Sequence, residues 1–299
     1  MLIPAVIVGM TACTSTEKGK TVNETADVTA QVIFASESDG IITHRAGQFE
    51  ISMLVERQNP GNPGILANAD PAVLNRYIPA AGFFHSTNTF LIKSPGRNVV
   101  VDTGFGTAIF DKIKQLGVEP DQVDAVLLTH MHGDHIGGLQ RDGQPLFPKA
   151  RIYLSAREKD HFTRIAVNQG AVAALAAYDS KVDTFEAAAL GSSLNAILPG
   201  IIPIAAYGHT PGHTVFLIED GGAQFLIIGD LLHVALVQFP HPEISSTYDP
   251  DQNLASESRR QILNYAAQNR ITIGGMHMVY PAIGMVEADG NGFRFIPAR

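Results

Sequence analysis

Apolar positions along the chain fall into short runs rather than long helical stripes. The runs 88–93, 98–102, 125–129, 151–154, 201–206, 214–219 and 224–228 are β-branched or apolar and bounded by Gly, Pro, Asp or His, which predicts strands. Between them, 107–116 predicts a helix stopped by Gly117, and the Ala-rich stretch 156–189 predicts two more. The stretch 256–269 predicts an amphipathic helix with Ile262, Leu263, Tyr265 and Ala266 on its apolar side. Strands and helices intermix along the chain, so the expected class is α+β or α/β.

The N-terminus reads differently. Residues 2–12 form an apolar run too short to cross a bilayer as a helix but of the length of a signal-peptide core. Met10-Thr11-Ala12 ahead of Cys13 resembles a bacterial lipoprotein processing box, in which the cysteine becomes lipidated. Residues 14–31 are Thr-rich and polar, as in a flexible linker. The expected organisation is an export segment at 1–13, a linker at 14–31 and one folded domain at 32–299. An exported protein follows, periplasmic or held at a membrane only through a lipid on Cys13.

Composition narrows the function. The 299 residues carry a formal net charge of −8, which argues against a nucleic-acid partner, since such proteins present basic surfaces. Cys13 is the single cysteine, so the chain has no intrachain disulfide and its body offers no thiolate to a metal.

The chemistry concentrates in one segment. The apolar run 125–129 leads directly into His130-Met131-His132-Gly133-Asp134-His135. An extended chain at His130 and His132 puts both imidazoles on one face, where they converge on one ion. Gly133 permits a sharp turn, and Asp134 and His135 then sit near a helix start, aimed at a second ion. Neutral imidazoles and carboxylates are the donors that zinc-type divalent ions take, with Mn, Fe and Co also served. Packing alone gives no account of so many polar groups after a buried strand, because each one buried without a partner costs about 1–3 kcal/mol.

The pattern His130-x-His132-x-Asp134-His135 is similar to the signature of the metallo-β-lactamase superfamily. So, in order, are Val101-Asp102-Thr103-Gly104, Gly208-His209-Thr210-Pro211-Gly212-His213-Thr214 and Ile228-Gly229-Asp230. The resemblance implies a four-layer αββα sandwich, two mixed β-sheets face to face with helices outside and two metal ions at one end. It implies His130, His132 and His213 on one ion, Asp134, His135 and His277 on the other, and Asp230 bridging both. Asp102 and His209 are then outer partners that orient the ligands. Of the remaining histidines, His44, His85, His161 and His241 read as surface or packing residues. His233, three positions after Asp230, is placed against the substrate by likeness to the lactone-hydrolysing branch.

The implied activity is hydrolysis by a hydroxide held between two ions, with Asp134 and Asp230 as catalytic carboxylates and His233 as a pocket residue. The stretches 88–92, 229–235 and 237–239 resemble the methyl-parathion-hydrolase-like group, whose lactonases show side activity on organophosphate triesters. That points to a small neutral lactone, aryl ester or phosphotriester, with Phe83, Phe84, Phe105 and Phe239 as pocket walls, and leaves room for a homodimer. Two other readings stand beside it: a glyoxalase-II-like thioesterase, and a non-catalytic metal-binding exported lipoprotein. Against the thioesterase, the tail 287–299 offers only Arg294 and Arg299 for glutathione carboxylates.

Overall fold

Successive side chains of a strand point to opposite faces, and in the central strands of this chain both faces are apolar, so the strands must be covered on both sides. The computed structural model describes residues 33–38, 40–193 and 195–298. The export segment at 1–13 with Cys13 and the linker at 14–31 lie outside the described residues.

An eight-stranded mixed sheet takes β1 (Ile33–Ser38), β2 (Ile41–Ala46), β3 (Phe49–Pro60), β4 (Phe84–Ser94), β5 (Arg97–Val101) and β6 (Ala125–Leu127). A two-stranded hairpin, β7 (Gln140–Arg141) and β8 (Gln144–Pro145), intervenes before β9 (Arg151–Ser155) and β10 (Val182–Phe185) complete that sheet. The second sheet has six strands in chain order: β11 (Ile201–Ala205), β12 (Thr214–Asp220), β13 (Ala223–Ile227), β14 (Thr272–Gly274), β15 (Ile283–Asp289) and β16 (Gly292–Pro297). Pairing is antiparallel except between β5 and β6, β6 and β9, β9 and β10, and β13 and β14.

Seven α-helices accompany the sheets among the described residues: α1 (Pro71–Tyr77), α2 (Ile109–Gln115), α3 (Gly133–Ile136), α4 (Ala156–Asp160), α5 (Gln169–Ala176), α6 (Ala235–Gln238) and α7 (Gln252–Gln268). One core lies between the sheets, with Phe90, Ile92, Val99, Val101 and Leu127 from one and Val215, Phe225, Ile227 and Ile273 from the other. Leu91, Val100 and Val126, the alternate residues of the same strands, enter a second core with Ile109 and Ile113 of α2 and Ala174 and Leu175 of α5. On the far side, Ile262, Leu263 and Ala266 of α7 join the core of the second sheet. The order helix, sheet, sheet, helix is the αββα sandwich. Among the described residues no helix is long and apolar enough to cross a membrane.

The stretch 156–189 departs from the expectation of two helices alone. After α4 and α5 the chain turns back as β10, parallel to β9, because the edge of β9 is open and Phe185 has room in the inter-sheet core. Helix α7 begins at Gln252, earlier than hydrophobic periodicity suggests, because the Asp251 side chain accepts the N–H of Leu254 at 3.0 Å and caps the first turn.

Candidate metal centre

The parallel strands deliver their carboxyl ends to one edge of the sandwich. Asp102 follows β5, His130 lies just past β6, Asp230 just past β13, and His277 just past β14. Residues far apart in the chain therefore meet at one end.

Past β6 the chain bends at Thr129, is extended at His132 and then winds into α3. His130 Nε2 and His132 Nδ1 come to 3.0 Å of each other. Asp102, wholly buried with φ of 54°, ties this turn down. Its Oδ1 accepts the N–H of Thr129 at 2.8 Å, and its Oδ2 accepts the Thr129 hydroxyl at 2.6 Å and His135 Nδ1–H at 2.6 Å. His130 Nδ1 rests on Thr129 Oγ1 at 3.0 Å. The nitrogens facing away from the cavity are thus used, which leaves His130 Nε2 and His135 Nε2 to face inward.

The turn between β11 and β12 corrects the expectation for its two histidines. His209, not His213, joins His130 and His132: its Nε2 lies 3.2 Å from His130 Nε2 and 3.1 Å from His132 Nδ1. Both nitrogens of His213 are occupied elsewhere, Nδ1–H donating to the Ala206 carbonyl at 2.9 Å and Nε2 accepting the N–H of Asp230 at 3.0 Å. A lone pair that accepts a backbone N–H is not available to a metal. Gly229, at φ of 55°, permits this contact, since a Cβ there would fall 2.5 Å from His213 Nε2. His209 is fixed by Asp249, whose Oδ1 accepts its Nδ1–H at 2.9 Å.

Asp230 stands between two sets of donors. Its Oδ2 lies 3.0 Å from His277 Nε2, 3.3 Å from His209 Nε2 and 3.3 Å from His233 Nε2, and its Oδ1 lies 3.1 Å from His135 Nε2. His277 Nδ1–H donates to the Ser86 carbonyl at 2.9 Å. The loop carrying His277 is stapled by Asn88, whose Nδ2 donates to the Gly275 carbonyl at 2.9 Å and the Met278 carbonyl at 2.8 Å.

The donors form one group of His130, His132, His209 and Asp230 and another of Asp134, His135 and His277, each with its ligand atoms within 4.8 Å of one another. His135 Nε2 and Asp230 Oδ1 are buried 3.1 Å apart, and neither makes an aligned hydrogen bond. Imidazole and carboxylate atoms crowded together in a buried cluster without aligned hydrogen bonds are what a cation satisfies. The residues present therefore fit two divalent ions.

Protonation equilibria follow from the same crowding. Burial alone would raise the Asp230 carboxyl, but the imidazoles of His135, His277 and His130 hold it well below the usual range. Burial lowers His213 to about 3 and His132 to about 4. Burial also acts downward on His209, yet Asp230 and Asp249 together raise it to about 9.

The cluster floors a cavity of about 510 Å³. Pro60, Ile65, Phe83 and Phe105 give it apolar walls, and Asn62, His85, His233 and Tyr248 give it polar ones. Two of the expected aromatic walls are absent. Phe84 points outward at 57% exposure, because alternation along β4 turns His85 inward instead. Phe239 is buried against Phe295 in the core, ring centroids 5.3 Å apart. His233 is buried beside Asp230, and Gln238 Oε1 fixes its turn by accepting the N–H groups of His233 and Val234 at 2.7 and 2.9 Å.

Residues 82–273 match the family described as the metallo-beta-lactamase superfamily. The chain belongs to that superfamily. Among solved structures, a hydrolase of the beta lactamase superfamily, AbOPH, superposes with a TM-score of 0.77 at 27% identity, over 88% of this chain and 99% of that one. The dizinc quorum-quenching lactonase AidC, solved with N-hexanoyl-L-homoserine, superposes with a TM-score of 0.77 at 24% identity, over 87% and 98% of the two chains. A hydroxyacylglutathione hydrolase of Citrobacter koseri is 27% identical over 55% of this chain and 50% of its own. A beta-lactamase-like protein 2 homolog of Caenorhabditis elegans is 26% identical over 49% and 45%. The chain spans about half the length of these curated relatives.

Within this superfamily member, sequence reasoning passed over four contributors. Asp249 and Asn88 act through a ligand histidine and a ligand loop, and nothing in their spacing marks them. His85, expected at the surface or in packing, lines the cavity and stacks on His277 with centroids 4.5 Å apart. Glu158 is buried in α4 and hydrogen-bonded to both ligand turns. The one available signal was its place in a short acidic and basic stretch directly after a buried strand.

Proposed function

We propose that the chain is a hydrolase of small neutral lactones or aryl esters that works with two divalent ions, most simply zinc. The observation that carries this is the convergence of two buried donor groups, His130, His132, His209 and Asp230 and Asp134, His135 and His277, beneath a cavity with aromatic walls. His130, His132, His209 and Asp230 would hold one ion and Asp134, His135 and His277 the other, and such ions would supply Lewis acidity toward a carbonyl oxygen and lower the pKa of water to about 7.

The chain's own residues do the rest. Asp230 keeps its charge, its Oδ2 meeting donors of both halves, His277 and His209, and its Oδ1 meeting His135. Asp134 has a partly exposed side chain and sits at the cavity wall, where it accepts the proton released as water attacks and passes it toward the leaving group. Phe83, Phe105 and Ile65 take the apolar part of the substrate and exclude water. His233 and His85 give the wall beside His277 hydrogen-bonding groups that orient the ester. Among the described residues lining the cavity there is no Lys or Arg, which suits an uncharged substrate and gives a glutathione thioester no partner for its carboxylates.

A panel of an aromatic lactone, an acyl homoserine lactone, aryl esters, a phosphotriester, a glutathione thioester and a β-lactam tests this, run beside metal analysis. A lactone or aryl ester is expected to give the highest kcat/KM, with organophosphate turnover as a side activity. A thioester or β-lactam ahead by tenfold or more would overturn the substrate assignment. An Asp230→Asn protein that stays fully active without metal would overturn the mechanism.

A further inference from the structure

One carboxylate outside the ligand set touches both turns that carry the first donor group. Glu158 is fully buried in α4. Its Oε1 accepts the N–H of Met131 at 2.9 Å, and its Oε2 accepts the Thr210 hydroxyl at 2.7 Å and the N–H of Gly212 at 2.9 Å. Met131 lies between His130 and His132, and Thr210 follows His209. These turns are 79 residues apart in the chain at the His130–His209 contact, and Glu158 joins them. The contact is close: a Cβ on Gly212 would come within 2.3 Å of the Glu158 backbone nitrogen. The second donor group is held by other means, His135 by Asp102 and His277 by the Ser86 carbonyl.

We propose that Glu158 is a positioning residue that sets the separation of the His130–His132 turn from His209 and thereby governs occupancy of one metal position but not the other. The proposal rests on the two-ion reading above. The chemistry requires a carboxylate. Three donors converge on two oxygens, and a glutamine there has one acceptor oxygen and an NH₂ group that must face at least one backbone N–H. Asymmetry is the distinctive consequence. A general loss of packing would weaken both metal positions together, whereas loss of this clamp disturbs only the position that His209 completes.

Purified full-length protein is freed of metal by chelation and titrated with zinc or cobalt against a competing chelator, and bound metal is counted by mass spectrometry. The unaltered chain is expected to take up two ions. Glu158→Gln is expected to keep one tight ion and to bind the other at least about tenfold more weakly, in the range seen for outer partners of metal ligands. Asp134→Ala, which cripples the other position, should retain one tight ion, and combining it with Glu158→Gln should leave none. Thr210→Val removes one donor and leaves the carboxylate in place, so it should weaken the same position by a smaller factor. It decides the matter if Glu158→Gln does not fold. Two ions held with unaltered affinity in these Glu158 and Thr210 variants, or parallel weakening of both ions, would overturn the proposal while leaving the two-ion reading intact. No uptake by the unaltered chain would instead remove the two-ion reading, and the proposal with it.

Discussion

The ring of His213 accepts the backbone N–H of Asp230 at 3.0 Å, so the turn that presents His209 is braced against the turn that presents the central carboxylate. One histidine of the Gly208–Thr214 motif supplies a donor to the cavity, and the other holds the frame. The two should respond differently to removal. His209→Ala should lose one ion or weaken it by about 100-fold or more. His213→Ala keeps every ligand but deletes a buried ring and two hydrogen bonds, at about 3 kcal/mol. That lowers the Tm of the metal-free chain by about 6–12 °C at this size. Metal counting and thermal unfolding on both variants check this, and equal metal loss with unchanged melting in both would contradict the assignment.

Metal removal should destabilise the whole domain, since the donors come from both sheets. An ion present at 1,000 times its Kd contributes about 4 kcal/mol to folding. Chelation should therefore lower Tm by about 8–16 °C per ion, and zinc should restore it. A melting temperature indifferent to chelator would show that the cluster holds no ion in solution.

Metal binding should release protons at neutral pH. In the metal-free chain His209 is raised to about 9 by Asp230 and Asp249, against the ordinary 6.5. At pH 7 it is protonated, and only the neutral imidazole ligates, so binding displaces its proton. Because the folded-state value is raised, the stability this proton gives the metal-free fold is fully present below 6.5 and is lost as pH rises through about 9. Metal affinity should thus climb from pH 7 to about 9, by about tenfold per unit from this group, and then level off. Calorimetry in buffers of differing ionisation enthalpy counts the protons directly, and a count of zero at pH 7 would contradict the assignment.

His233 should tune substrate preference more than metal content. Its turn is locked by Gln238, and its ring lines the cavity beside the carboxylate of Asp230. His233→Leu removes a hydrogen-bonding group and adds apolar surface. The ratio of lactone to phosphotriester or aryl-ester turnover should shift by about tenfold, on the scale of one lost hydrogen bond to a buried group, with two ions retained. Loss of metal in step with both activities would make His233 a structural support.

Local pattern carried a large part of this protein. The strands of the inter-sheet core were legible because apolar runs a few residues long, bounded by turn formers, leave little choice of conformation. His130, His132, Asp134 and His135 were legible because four donors within six residues right after a buried strand have no packing explanation. The choice between His209 and His213 was not legible. Both follow a glycine and precede a threonine, and which lone pair is free depends on whether the Asp230 N–H arrives to occupy it. Asp249, Glu158, Asn88 and His85 were hidden for the same reason. Each acts across the sandwich on a partner far away in the chain, through contacts a few ångströms long that only the packing of two sheets brings about. Sequence determined the donor chemistry and the strands that carry it. The tertiary structure decided which nitrogens face the cavity, because hydrogen-bond partners reserve the others.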